Sequence, residues 1–230
     1  MKRYLITGAS RGIGRAIAEK LAAEDVTLLL HGRDTVALAE VCKAVKPRCG
    51  GVVRLVHDLA IKAGVSDLIA AVGRDPLDLL VNNAGIAIVK PFGETTPVEW
   101  EQTLGVNVTA PFLLTQRFAP KMPPGASIVN ILSIAAKTGF PNWSAYCMSK
   151  FALEGFSQSL REELREHKIR VINIYPAATD TSIWNNLEGD WPREKMISPN
   201  DVASAVAYAL SRPAEVALEN ISLSNLTGNL

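Results

Sequence analysis

The sequence predicts an α/β fold with one doubly wound sheet of about seven parallel strands flanked by helices. Two observations carry this. Strand-length apolar runs alternate with amphipathic helical stretches along the whole chain, the pattern of β/α units that share one sheet. The first run leads directly into a glycine-rich turn and then a helix, the Rossmann-type opening of a nucleotide-binding fold. Composition sets the bounds. With 48% hydrophobic residues among 230, the chain can bury a sizeable core. Basic and acidic residues nearly cancel, 24 against 23, so the basic excess of a nucleic-acid surface is missing. No apolar run is long enough to span a membrane, and Met1 to Ile6 is too short and polar for a leader. Cys42, Cys49 and Cys147 are odd in number and lack metal-ligand spacing, which fits free thiols in the cytoplasm and no metal site. No repeat or linker divides residues 1–230, so a single nucleotide-binding domain is expected.

The elements follow in order. Arg3 to Thr7 is the first strand, and Gly8-Ala9-Ser10-Arg11-Gly12-Ile13-Gly14 the turn after it. Gly8 permits the tight turn, Gly12 lets a pyrophosphate approach the backbone, and Gly14 lets the helix pack closely. Ala16, Ile17, Ala18 and Leu21 mark the inner side of that helix. Val26 to His31 is the second strand. Where an NAD-binding fold places an acid against the ribose, this chain has Gly32 followed by Arg33. With Arg11 close by in the turn, two guanidiniums and no carboxylate suit a 2′-phosphate and favour NADP(H) over NAD(H). The alternative for Arg33 is a solvated turn residue. Asp34 caps the next helix, Thr35 to Val45.

Val52 to His57 is the third strand. It ends at Asp58 and Leu59, where the acid can accept a hydrogen bond from an adenine amino group or cap the following helix. Leu77 to Val81 is the fourth strand, an apolar run suited to burial on both faces. Asn82-Asn83-Ala84-Gly85 follows, small enough for a backbone packed against a cofactor, or a plain turn. Thr96-Pro97-Val98-Glu99 starts a helix that runs to about Ala119. Pro111 inside it removes the donor to the Asn107 carbonyl and predicts a kink there. Ser127 to Leu132 is the fifth strand, with Ser133 at its C-terminal edge, where open α/β sheets bind ligands. A helix from Ser144 to about His167 and a strand from Arg170 to Tyr175 come next. Pro176 to Ser198 is irregular, and residues 177–198 read as a substrate loop. Its Trp184 and Trp191 line a pocket or pin the loop to the core. Pro199 opens the last helix, to about Leu210. Asn220 to Leu223 is the seventh strand, and the tail from Ser224 has no pattern.

Tyr146 and Lys150 stand four apart on one helical face. An unperturbed phenol has a pKa near ~10. An ammonium at about 4 Å, with an effective dielectric of ~20, favours the phenolate by roughly 4 kcal/mol, up to about three pKa units. The same spacing occurs by chance on many helices, so the pair gains meaning only from the rest of the chain.

Taken together, these residues resemble a short-chain dehydrogenase/reductase of the ordinary, non-extended kind, from Tyr4 to about Leu223. The TGxxxGxG pattern of that family stands as Thr7 to Gly14 and its NNAG as Asn82 to Gly85. Its Asn, Ser, Tyr and Lys fall on Asn107, Ser133, Tyr146 and Lys150, with the family's 13-residue spacing from Ser to Tyr. Pro176 is kept, while Ala177 replaces the family's glycine. A softer likeness to bacterial sepiapterin-reductase-like members lies in Tyr146 to Phe151 and Thr181 to Trp184. The resemblance implies hydride transfer between a nicotinamide and a carbonyl or alcohol, with Tyr146 as acid/base and Ser133 orienting the oxygen. It also implies that Lys150 lowers the Tyr146 pKa and holds the nicotinamide ribose. Asn107 would anchor a relay water, and Thr179 and Thr181 would meet the carboxamide. It further implies a homodimer or homotetramer, often with the Asn107 and Tyr146 helices at the interface. Ile134, Phe140, Trp143, Trp184 and Trp191 are candidates for an apolar, aromatic-lined substrate pocket. The other readings are an alcohol dehydrogenase using NADP⁺ or NAD⁺ and a non-catalytic NADP(H)-binding sensor.

Overall fold

The computed structural model describes residues 1–187 and 189–226. Glu188, inside the expected substrate loop, and the last four residues of the tail lie outside the described residues. Seven strands form one sheet: β1 (Lys2–Ile6), β2 (Val26–Gly32), β3 (Gly51–Val56), β4 (Leu79–Asn82), β5 (Ser127–Ile131), β6 (Arg170–Pro176) and β7 (Asn220–Leu223). Their order is β3-β2-β1-β4-β5-β6-β7, and every neighbouring pair is parallel. This is the Rossmann-like sheet that the β/α alternation predicts. β1 pairs with β2 on one side and β4 on the other, so the winding reverses there. A crevice outside the C-terminal ends of strands at such a reversal is where open α/β sheets bind ligands.

The two faces of the sheet are separate apolar layers. Ile6, Leu28, Leu30 and Val81 pack against α1 (Gly12–Leu21), α2 (Thr35–Val45) and α7 (Pro199–Leu210). Leu5, Leu29 and Leu80 pack on the other face with α3 (Lys62–Val72), α5 (Ala110–Phe118) and α6 (Ser144–Arg165). Successive side chains on a strand point to opposite faces, so Leu28-Leu29-Leu30 must be apolar throughout to fill both layers. Asp34 accepts from the Val36 and Ala37 N–H groups at the start of α2, the cap its position predicts.

The helix expected from Thr96 to Ala119 is interrupted rather than merely kinked. Thr96 and Glu99 close a capping box at the start of α4 (Pro97–Leu104), and a π-helical turn over Gly105–Thr109 then leads into α5. The Ala110 N–H reaches back five residues to the Gly105 carbonyl. Pro111 supplies no donor, which is the cause read from sequence. The interrupted stretch also packs closely. Gly105 lies so close to Ala60 that a Cβ would sit 2.6 Å from the Ala60 carbonyl oxygen.

One polar row crosses this apolar sheet. Asn82, Asn130, Asn173 and Asn220 are register neighbours on β4, β5, β6 and β7. Asn82 donates to Asn130 (2.8 Å), Asn130 to Asn173 (3.3 Å), and Asn173 to the Glu154 carboxylate (3.0 Å). Buried amides need such partners, because an unmatched one costs about 1–3 kcal/mol.

Candidate active site

The glycine turn after β1 is held by side chains from three strand ends. Gly8 adopts φ 67°, a left-handed conformation open to glycine, and packs on Ala84, whose Cα a Cβ would meet at 2.9 Å. Asn83 donates to the Thr7 and Gly8 carbonyls at 2.8 and 3.1 Å, while Thr7 Oγ1 accepts from the Asn83 and Ala84 N–H groups at 3.0 Å. His31 closes the other side. Its Nδ1 accepts from the Gly8 N–H at 3.4 Å, and its Nε2 lies 3.0 Å from the His57 carbonyl oxygen. Burial pushes His31 down to about 4, so the ring is the neutral tautomer that this pairing requires. No local signal in the sequence marks His31 as more than a strand-end residue. Its role arises from the meeting of β2, β3 and the turn.

Around this turn lies a groove of ≈ 710 Å³. Gly8, Ser10, Arg11, Gly12, Ile13, Arg33, Asp58, Leu59, Asn83, Ala84, Gly85 and Thr181 all line it. Gly14 does not line it but packs beneath, where a Cβ would come within 2.3 Å of the Gly8 carbonyl oxygen. The first turn of α1 carries no acidic residue, and the Arg11 side chain makes no capping bond. These free N–H groups suit an anion. At Gly32, where an NAD-type acid would stand, a Cβ would lie 3.1 Å from the Ser10 side chain, which would have to give way. Arg33 is not free of carboxylates, however. Its guanidinium lies 3.7 Å from Asp58, whose Oδ1 also accepts from the Ala60 N–H. Asp58 therefore stabilises the turn ahead of α3 rather than capping the helix itself, which starts at Lys62 without a side-chain cap.

A second cavity, ≈ 180 Å³, adjoins the groove and shares Ile13, Asn83, Gly85, Thr181 and Ile183 with it. Ser133, Tyr146, Lys150, Pro176 and Thr179 line it. Asn107 stands behind. Its Oδ1 accepts from the Ile86 N–H and its Nδ2 donates to the Ile86 carbonyl and Ser149 Oγ, each at 2.9 Å. A Cβ at Gly85 would meet Asn107 Oδ1 at 3.6 Å and Lys150 Nζ at 3.7 Å, so the absent side chain leaves both within reach of the cavity. Ser133 Oγ accepts from the Ala135 N–H. Thr179 Oγ1 donates to the Ala177 carbonyl. Ala177 donates its N–H to Leu223 and does not adopt a left-handed backbone, so alanine fits where the family pattern has glycine.

The electrostatics of the Tyr146/Lys150 pair differ from the sequence-based expectation. Burial pushes Tyr146 up to about 12, and the Ser133 hydroxyl acts in the opposite direction without overcoming it. Burial brings Lys150 down to about 8. Its Nζ donates to the Ile131 carbonyl at 2.9 Å and lies 5.6 Å from the Tyr146 ring centroid. Four-residue spacing brought both side chains to one cavity. For both groups loss of solvent sets the direction of the shift.

The outer wall is aromatic, and it comes from the irregular segment. Trp143 packs edge-on to Tyr146, Trp184 and Trp191, with centroids 5.5, 5.9 and 6.1 Å apart. Trp184 Nε1 donates to the Thr179 carbonyl. Both readings of the tryptophans hold at once, since they line the cavity and pin the segment. An isolated bridge between Thr179 and Ile197 closes its base. Arg193, which sequence reasoning missed, ties its middle. The guanidinium donates to Asp180 (2.7 Å), the Thr181 carbonyl (2.8 Å) and Asn185 (2.6 Å). Thr181 in turn sits on the glycine turn, where its methyl would be 3.0 Å from a Cβ at Gly12.

A family model described as short chain dehydrogenase matches residues 2–191. An uncharacterized oxidoreductase of Staphylococcus saprophyticus is 33% identical over 227 residues, 96% of either chain. Sepiapterin reductase of Chlorobaculum tepidum is 30% identical over 98% of this chain and 97% of its own. Among solved structures, landomycin C-6 ketoreductase with bound NADP and rabelomycin superposes with a TM-score of 0.86 at 31% identity, covering 97% of this chain and 95% of that one.

Proposed function

The chain belongs to the short-chain dehydrogenase family of oxidoreductases, which act on carbonyl or alcohol groups, and from that premise we propose that it is an NADPH-dependent carbonyl reductase. The observation that carries this reading is the junction of the two cavities. The glycine-turn groove meets, at Gly85 and Thr181, the pocket that holds Ser133, Tyr146 and Lys150. When bound, a reduced nicotinamide dinucleotide supplies the hydride, and the protein positions and tunes that chemistry. The uncapped start of α1 and the left-handed Gly8 suit its pyrophosphate. Arg11 and Arg33 would hold its 2′-phosphate, and Asp58 would accept from its adenine amino group. The NADP bound to the landomycin ketoreductase supports this preference.

Within the pocket, Ser133 orients the substrate oxygen. Tyr146, held fully protonated at neutral pH by burial, gives that oxygen its proton. Lys150 keeps a positive charge below about pH 8 and stabilises the phenolate that remains. Asn107 braces the Ile86 backbone beside Lys150 and anchors a water that relays protons from Lys150 to solvent. Residues 177–198 form the substrate loop of what we take as one nucleotide-binding domain. Exposed Phe112, Met148 and Phe151 on α5 and α6 support a homo-oligomer.

The test is NADPH consumption against a panel of neutral ketones and aldehydes, with Tyr146→Phe and NADH run in parallel. Tyr146→Phe is expected to lower kcat by about 10²–10⁴ while NADPH binding stays within an order of magnitude. An unimpaired variant would rule out the acid role. Equal rates with NADH would count against the 2′-phosphate assignment.

A further inference from the structure

The side chains around the pocket offer a substrate almost nothing polar beyond the reaction centre. Ser133, Tyr146 and Lys150 form that centre, and among the described residues that line the pocket Lys150 is the only charged one. Two further polar groups are already spent. Asn83 Nδ2 donates to the Thr7 and Gly8 carbonyls, and Thr179 Oγ1 donates to the Ala177 carbonyl. The outer wall is apolar. Trp143 packs edge-on to the Tyr146 ring, so a carbonyl held at the Tyr146 hydroxyl has an indole close by. Trp184 and Trp191 extend this wall, and Phe140, Ile183 and Leu187 complete it. The indole nitrogens do not interrupt it. Trp184 Nε1 donates to the Thr179 carbonyl, and Trp191 Nε1 has under 1 Å² of accessible surface. A guest therefore meets ring carbon, not N–H.

We propose that the substrate is a neutral ketone or aldehyde on an apolar body, with the reacting carbonyl as its only polar group inside the pocket, and that the wall of Trp143, Trp184 and Trp191 sets this choice. This rests on the reductase reading, with the reacting carbonyl at Ser133 and Tyr146. A second polar group would lose water against that wall and gain no side-chain partner there. The penalty is greatest for a carboxylate bonded to the reacting carbon, because that position keeps it inside the pocket whichever way the rest of the molecule points. α-Keto acids are therefore rejected.

The experiment measures binding first, so that the electrophilicity of the carbonyl does not enter. The full chain, saturated with NADP⁺, is titrated calorimetrically with two matched pairs of phenyl ketones, whose flat rings suit tilted indoles. Methyl benzoylformate is set against benzoylformate, and meta-methylacetophenone against meta-hydroxyacetophenone. The ester and the methyl compound are each expected to bind at least about tenfold more tightly than their partners. Leu187→Arg places a cation in the wall and is expected to narrow the ester-to-acid ratio about tenfold. Turnover of the same compounds with NADPH is measured alongside, in wild type and in Tyr146→Phe. Equal or tighter binding of either polar partner overturns the inference, as does a ratio unmoved in a folded Leu187→Arg protein or a failure of both the ester and the methyl compound to bind. Tyr146-dependent turnover then still upholds the reductase reading. If Leu187→Arg does not fold, the wild-type pairs decide alone. The expected binding order without Tyr146-dependent turnover overturns the reductase reading and leaves the selectivity of the pocket standing.

Discussion

The groove around the glycine turn and the pocket under residues 177–198 meet at Thr181, yet they are built on different principles. The groove is shaped by strand ends and by the side chains that tie the glycine turn to them. Its walls are strand ends in fixed register, and its bonds join Thr7, Gly8, Asn83 and His31 across β1, β2 and β4. The pocket is shaped by side chains. Its outer wall is a segment with little regular structure, tied by one guanidinium, one isolated bridge and tilted, edge-packed indoles. A family can keep the first part and vary the second, which is how one scaffold serves many carbonyl compounds.

That contrast can be broken by experiment. The largest effect is expected in the groove. Gly14→Ala places a methyl 2.3 Å from the Gly8 carbonyl and 2.4 Å from Asn83 Nδ2, where backbone cannot yield. Overpacking of this kind costs about 1–3 kcal/mol, a fall in Tm of about 2–12 °C, measured by calorimetry. NADPH affinity should fall more than tenfold. A variant with wild-type Tm and affinity would show that the turn is as pliable as the loop.

Arg193→Ala tests the other side. Loss of three contacts should raise KM for the carbonyl substrate about tenfold and expose residues 181–195 to limited proteolysis, with Tm within about 2 °C of wild type, because the clasp lies outside the core. Arg193→Lys should recover little, since an ammonium cannot span the three acceptors as the planar fork does. A large loss of Tm would mean that loop and core form one cooperative unit.

The narrowest effect, confined to acid pH, concerns His31. Its folded-state pKa, about 4, lies below the ordinary value of 6.5. The unfolded chain therefore binds the extra proton first, and stability rises with pH across that window. The contribution is complete above about pH 6.5 and is lost as pH falls through about 4. His31→Gln should give a shallower slope of Tm against pH between those limits. An unchanged slope would place the acid sensitivity elsewhere.

By itself the sequence determined the order and type of the elements. Apolar runs such as Leu28-Leu29-Leu30 and caps such as Asp34 and the Thr96/Glu99 box act within a few residues, and the structure places them as read. The glycine turn, Ser133 after β5, and Tyr146 with Lys150 on one helical face are equally local, so the candidate site was visible as spacing. The tertiary structure decided what depends on distant partners. Burial, not the neighbouring ammonium, controls Tyr146, because solvent exclusion is set by the surrounding chain. The π-helical form of the break before α5, with Gly105 packed against Ala60, shows only in the folded chain. The row from Asn82 to Asn220 and the neutral His31 join residues far apart in sequence. No periodicity announces such pairings, since each exists only once the parallel register has brought the strand ends to one edge.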